Sequence, residues 1–64
     1  MKNLLNKANQ LLEAIEMGIY TKKQALNMIK NLAYQIELKY KLGSDNYISC
    51  MYPLYDAVEV TNKL

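Results

Sequence analysis

Cys50 is the one side chain in this 64-residue sequence with the chemistry of a strong nucleophile. A thiol needs activation, by a neighbouring base or by a site that lowers its pKa. The sequence has no histidine, so the usual base is missing. Cys50 also shares a helical pattern with Met51, Leu54 and Ala57, where a small buried packing residue is the simpler reading. Two carboxylate pairs, Glu13 with Glu16 and Asp56 with Glu59, stand three residues apart. On a helix that spacing puts both members on one face, as acid–base chemistry or metal binding would use them. Solvated surface charge is the simpler account of both pairs. No cysteine or histidine cluster matches a zinc site, and there is no glycine-rich phosphate loop. The sequence therefore predicts no catalytic residue, no metal, no cofactor and no small-molecule substrate.

Binding chemistry is better represented. Lys23, Asn27, Lys30, Tyr34 and Lys41 recur so that a continuous helix would carry them on one side. Lysines interleaved with an amide and an aromatic ring suit a phosphate backbone or an acidic protein. The alternative is an ordinary solvated helix face. All eight basic residues are lysine, which weakens base-specific DNA contact, because bidentate reading of guanine is mainly the work of arginine. Leu38 lies beside the lysine strip and suits a protein contact instead. Farther along, Ile48, Tyr52 and Tyr55 fall off the apolar stripe of their own segment, beside Glu59. Tyrosine offers a large, stiff contact area and a hydroxyl, and is enriched where proteins meet. Tyr34, Leu38, Ile48, Tyr52 and Tyr55 are thus the candidate protein-contact residues. The alternative for the three on the last segment is that they fold over the edges of a small core.

Composition limits what these residues can belong to. The hydrophobic fraction of 52% with 22% charged residues is that of a globular chain. A chain this short buries only about 60% of its unfolded surface and usually needs a staple, a partner or very good helix packing. One cysteine allows no internal disulfide, so helix packing or oligomerisation must supply the stability. No apolar run approaches the roughly 20 residues that span a bilayer, and the first sixteen residues lack the apolar core and cleavage site of a secretory signal. With a free cysteine, this predicts a reducing, cytoplasmic location. Net charge is +2, too mild to imply nucleic acid by itself. It is unevenly spread: residues 1–42 carry seven lysines against three glutamates, and the remainder is acidic. Abundant Asn, Lys, Ile and Tyr fit an AT-rich coding source, such as a low-GC bacterium or its phage or plasmid.

Three segments must position these residues. Leu4, Leu5, Ala8, Leu11, Leu12 and Ile15 form one stripe at helical spacing, which predicts a helix over Lys2–Met17. The stretch GIYTKKQA, residues 18–25, then reads as a corner. Gly18 suits the left-handed residue after a helix, and Thr21 with Gln24 makes a capping box. Tyr20 and Ala25 occupy the positions of a hydrophobic staple. The spacing of Ala14 and Gly18 also matches part of a helix-turn-helix pattern, but Gln24 and Asn27 are polar where a recognition helix needs apolar residues.

A second helix is predicted over Lys22–Leu42, its apolar face formed by Ala25, Leu26, Ile29, Leu32, Ala33, Ile36 and Tyr40, with Gly43 ending it. A third begins at Ser44 or Asp45, with Tyr47, Cys50, Met51, Leu54, Ala57, Val58 and Thr61 on one face. Pro53 lies inside this pattern, expected to point away from the core. It either kinks the helix or marks a turn at 45–50 followed by a helix from Met51.

The expected fold is all-α, a single small three-helix domain: a long helical hairpin with a third, proline-kinked or shortened helix. The expected function is a non-catalytic protein–protein interaction module, a regulator or inhibitor of phage or mobile-element type. Its partner would be another protein or a second copy of itself. The alternative is a small dimeric DNA-binding regulator using the lysine face of the second helix.

Overall fold

A computed structural model describes residues 3–64. Among these residues the chain forms three helices and no strand: α1 (Asn3–Glu16), α2 (Lys22–Lys39) and α3 (Asp45–Asn62). An 18-residue helix is about 27 Å long, close to the 31 Å long axis of a molecule 16 Å by 14 Å across. The helices therefore run along the molecule, up, down and up. This is the expected all-α three-helix domain. The expected start at Lys2 lies outside the described residues.

The corner at residues 18–25 stops one helix and starts the next with local hydrogen bonds alone. Gly18 has φ +77°. Its N–H donates to the Ile15 carbonyl at 3.0 Å, and the Ile19 N–H donates to the Ala14 carbonyl at 3.2 Å. Those two bonds are the Schellman pattern, which satisfies carbonyls left over at a helix end. Thr21 then caps α2, and the capping box with Gln24 is complete.

The end of α2 differs from expectation. The helix stops at Lys39, not Leu42, and Tyr40 takes extended backbone (φ −116°, ψ 147°) while its N–H still reaches the Ile36 carbonyl. Leaving the helix there packs the half-buried Tyr40 ring against the core. Gly43 does not terminate α2. It sits at φ +83° in a turn closed by Ser44 N–H to the Lys41 carbonyl at 3.0 Å, the position where a type II turn favours glycine. Ser44 caps α3, its Oγ accepting from the Tyr47 N–H at 3.3 Å.

Helix α3 is uninterrupted from Asp45 to Asn62 with Pro53 inside it, so no turn separates residues 45–50 from the rest. Pro53 is buried, contrary to its expected outward direction. The reason is the width of the α3 core face. At 100° per residue, the buried positions Cys50, Met51, Pro53, Leu54, Ala57 and Thr61 cover an arc of about 160°. The buried positions of α2, Ala25, Ile29, Leu32 and Ile36, cover only about 60°. Helix α3 packs against both other helices, whereas α1 and α2 touch each other lightly. Pro53, between Cys50 and Ala57 on adjacent turns, is covered by this two-sided packing. The narrow α2 arc also excludes Leu26, expected in the core but 39% exposed, while Met28 on the opposite flank is half-buried against it.

On α1, Leu4, Ala8, Leu11 and Ile15 are buried and Leu5 and Leu12 pack beside them. The one buried polar side chain among the described residues is Thr61. Its hydroxyl donates to the Ala57 carbonyl at 2.7 Å, which meets the requirement that a buried donor find an acceptor.

Candidate protein-contact surface

The five apolar contact candidates all lie at the surface. Tyr34 is 61% exposed, Leu38 69%, Ile48 42%, Tyr52 64% and Tyr55 58%. Their positions follow from the helix repeat. Tyr34 and Leu38, one turn apart, project from α2 directly away from its buried residues. Ile48, Tyr52 and Tyr55, with Glu59, fall within about 60° on the outer side of α3. The edges of the core are instead covered by Tyr20, Tyr40, Tyr47, Val58 and Val60.

The lysine strip is partly broken. Lys23, Asn27 and Lys30 are exposed on α2 beside Tyr34. Lys41 is not on that face, because the helix has already ended at Lys39. Lys39 itself sits over the neighbouring Tyr40 ring, its Nζ 5.9 Å from the ring centre, within the range of a cation–π contact.

The seam between α2 and α3 brings three side chains into electrostatic range. Burial raises the Tyr47 hydroxyl pKa above its usual value of 10.0, and the nearby Glu37 carboxylate and Tyr55 raise it further. Glu37 belongs to α2 and Tyr55 to the exposed face of α3. Glu37 and Tyr55 thus stand on the two sides of that seam. Beside it on α2 lies a shallow depression of about 340 Å³, bordered by Lys30, Ala33, Tyr34 and Glu37.

Charge is sharply divided between these two helices. Helix α2 carries Lys22, Lys23, Lys30 and Lys39 against Glu37, a net charge of +3, and α3 carries Asp45, Asp56 and Glu59 with no lysine, a net charge of −3. The helices are neighbours, yet their charges do not pair with each other. Among the described residues the one ion pair is Lys63 with Glu59 at 4.0 Å, exposed and next to the α3 terminus.

The residues considered for catalysis are not brought together. Cys50 is buried. Its thiol pKa is raised by that burial and partly lowered again by Lys39. Glu13, Glu16, Asp56 and Glu59 are all exposed. No three His, Cys, Asp or Glu side chains form a metal-binding group among the described residues. No helix there is long and apolar enough to cross a membrane.

One feature has no counterpart in the sequence pattern. An open groove of about 390 Å³ runs between α1 and α2, with Leu11, Tyr20, Met28 and Leu32 in its apolar part and Lys7 and Gln35 among its polar lining. It exists because α1 and α2 touch lightly, and that separation is not written in either helix alone. Compared with protein-family models, curated proteins and solved structures, the chain matches none.

Proposed function

We propose that this protein is a non-catalytic protein–protein interaction module, a small cytoplasmic regulator or inhibitor of phage or mobile-element type. The observation that supports it is the outward display of Tyr34, Leu38, Ile48, Tyr52 and Tyr55. Large exposed apolar groups rimmed by charge are the usual mark of an interaction surface. Here they stand on the outer faces of α2 and α3. The test is capture from a lysate of the native host by immobilised wild type and by a Tyr52→Glu, Tyr55→Glu double variant, followed by mass spectrometry. The expected result is a protein retained by the wild type and lost by the variant. Identical retention by both sinks the α3 surface.

The exposed lysines of α2 favour a second reading, a small dimeric DNA-binding regulator. Duplex binding that weakens steeply with salt, and disappears in a Lys23→Glu, Lys30→Glu, Lys41→Glu triple variant, would favour that reading. Absence of duplex binding at low salt removes it.

A further inference from the structure

The groove between α1 and α2 is graded along its length. The two helices run antiparallel on either side of the corner at residues 18–25. Tyr20 and Met28 therefore lie at the corner end of the groove, and Lys7 and Gln35 lie about 10 Å away at the other end. Leu11 and Leu32 are buried beneath the middle. Tyr20 and Met28 are half-buried against the core and keep part of their surface open to the groove. Lys7 is the one charged residue that lines it, and no carboxylate faces it there. Glu13 and Glu16 project about 120° and 180° from Lys7 around α1, and Glu37 projects about 160° from Gln35 around α2. The one ion pair among the described residues lies elsewhere, between Lys63 and Glu59. Lys39 follows Gln35 by one turn on the same flank of α2, which adds positive charge toward the Lys7 end. The groove thus has an apolar floor, an apolar end and a positive end.

We propose that this groove binds a free medium-chain fatty acid. The hydrocarbon chain lies over Leu11 and Leu32 and ends against Tyr20 and Met28. The carboxylate lies at the other end, beside the Lys7 ammonium and within reach of the Gln35 amide. The inference goes beyond the interaction-module reading and does not depend on it. Sites for small ligands are mostly apolar, with a few polar groups that fix orientation, and measure about 300–1,000 Å³. The groove, at about 390 Å³, falls within that range. Spread over about 10 Å, that volume is about 6–7 Å across, which admits a hydrocarbon chain but is narrower than the 10–12 Å of a helix with its side chains. Lys7 is exposed, so its ion pair with a carboxylate is weak and screened by salt. Burial of the chain therefore carries the affinity, and Lys7 sets which way round the ligand lies.

The experiment titrates octanoate into the isotope-labelled full chain at low salt and follows the amide NMR shifts. Octanol, with the same chain and no charge, is titrated in parallel. Octanoate should give saturable shifts concentrated at Leu11, Tyr20, Met28 and Leu32, with half-saturation at about 1 mM or below. Lys7→Glu places a like charge beside the carboxylate and should weaken octanoate by about 10-fold. Octanol should bind wild type and Lys7→Glu equally. Lys63→Glu, outside the groove, should leave octanoate binding unchanged. The spread of amide shifts checks that each variant stays folded. If Lys7→Glu unfolds, Lys7→Gln removes the charge without reversing it and should still weaken octanoate relative to octanol. Three results overturn the proposal. One is the absence of saturation by about 10 mM octanoate. Another is a set of shifts spread equally over Tyr52, Tyr55 and the groove, as a detergent would give. The third is an octanoate affinity that Lys7→Glu leaves unchanged.

Discussion

Thr21 and Gln24 bond reciprocally: the Gln24 backbone N–H donates to Thr21 Oγ1 at 3.2 Å, and the Thr21 backbone N–H donates to Gln24 Oε1 at 3.1 Å. Both residues are exposed, so neither contributes to the core. Their role is to fix where α2 begins, and thereby where Lys23, Lys30 and Tyr34 point.

Thr21→Ala should lower stability by about 1 kcal/mol through the lost cap. Gly18→Ala should cost about 1–2 kcal/mol, the penalty of a left-handed conformation with a Cβ. Nothing lies within 4 Å of a Cβ built at Gly18, so a clash cannot account for that cost. Urea denaturation measures both. An unchanged midpoint for either would show that the corner does not depend on that residue.

The corner is legible in the sequence because all its determinants lie within a few residues: Gly18, Thr21 and Gln24 each have a local partner. The core stripes of α1 and α3 are legible for a similar reason, since helical periodicity alone selects Leu4, Ala8, Leu11, Ile15, Cys50, Leu54 and Ala57. The end of α2 is not. Tyr40 continues the apolar period, and only its docking against the core takes it out of the helix. Pro53 is misread for the same reason, because the width of a buried arc depends on how many helices pack around it. The exposure of Tyr34, Leu38, Ile48, Tyr52 and Tyr55 can be read from periodicity. Which flank of α3 lies beside α2, and so which of its side chains come near Glu37, is a tertiary fact.

Alkaline pH should destabilise the fold. The folded pKa of Cys50 is raised above 9.0 and that of Tyr47 above 10.0. Between the unfolded and folded values of each group, the native state holds a proton that the unfolded state has released. Stability from these groups is therefore complete below about pH 9 and falls as pH rises through the raised values. Denaturation midpoints measured up to pH 10 should fall less steeply in Cys50→Ala than in wild type. Parallel curves would mean that Cys50 burial does not set the alkaline response.

Pro53→Ala should stabilise the protein. Proline inside a helix costs about 3 kcal/mol, because it lacks an N–H and its ring crowds the carbonyl four residues back, here that of Ser49. Alanine restores the donor. It also loses part of a buried side chain, about 0.8 kcal/mol per CH₂ group removed. The backbone gain exceeds the packing loss, giving a net gain of about 1 kcal/mol in chemical denaturation. A destabilised variant would show that the buried ring contributes more to packing than it costs the helix.

Leu54 and Leu38 should respond oppositely to truncation. Leu54 is 1% exposed, in the arc of α3 that packs on both other helices. Leu54→Ala removes buried methyl groups and leaves a cavity, costing about 2–5 kcal/mol. A chain of this length has about 3–10 kcal/mol of total stability, so that loss is a large share of it. The variant should have a much lower urea midpoint than the wild type, followed by circular dichroism at 25 °C. Leu38 projects from the far side of α2, and Leu38→Ala should shift the stability of the monomer by no more than about 0.5 kcal/mol. If Leu38→Ala unfolds the monomer, the outer face of α2 belongs to the fold. It would then not be available as an interface.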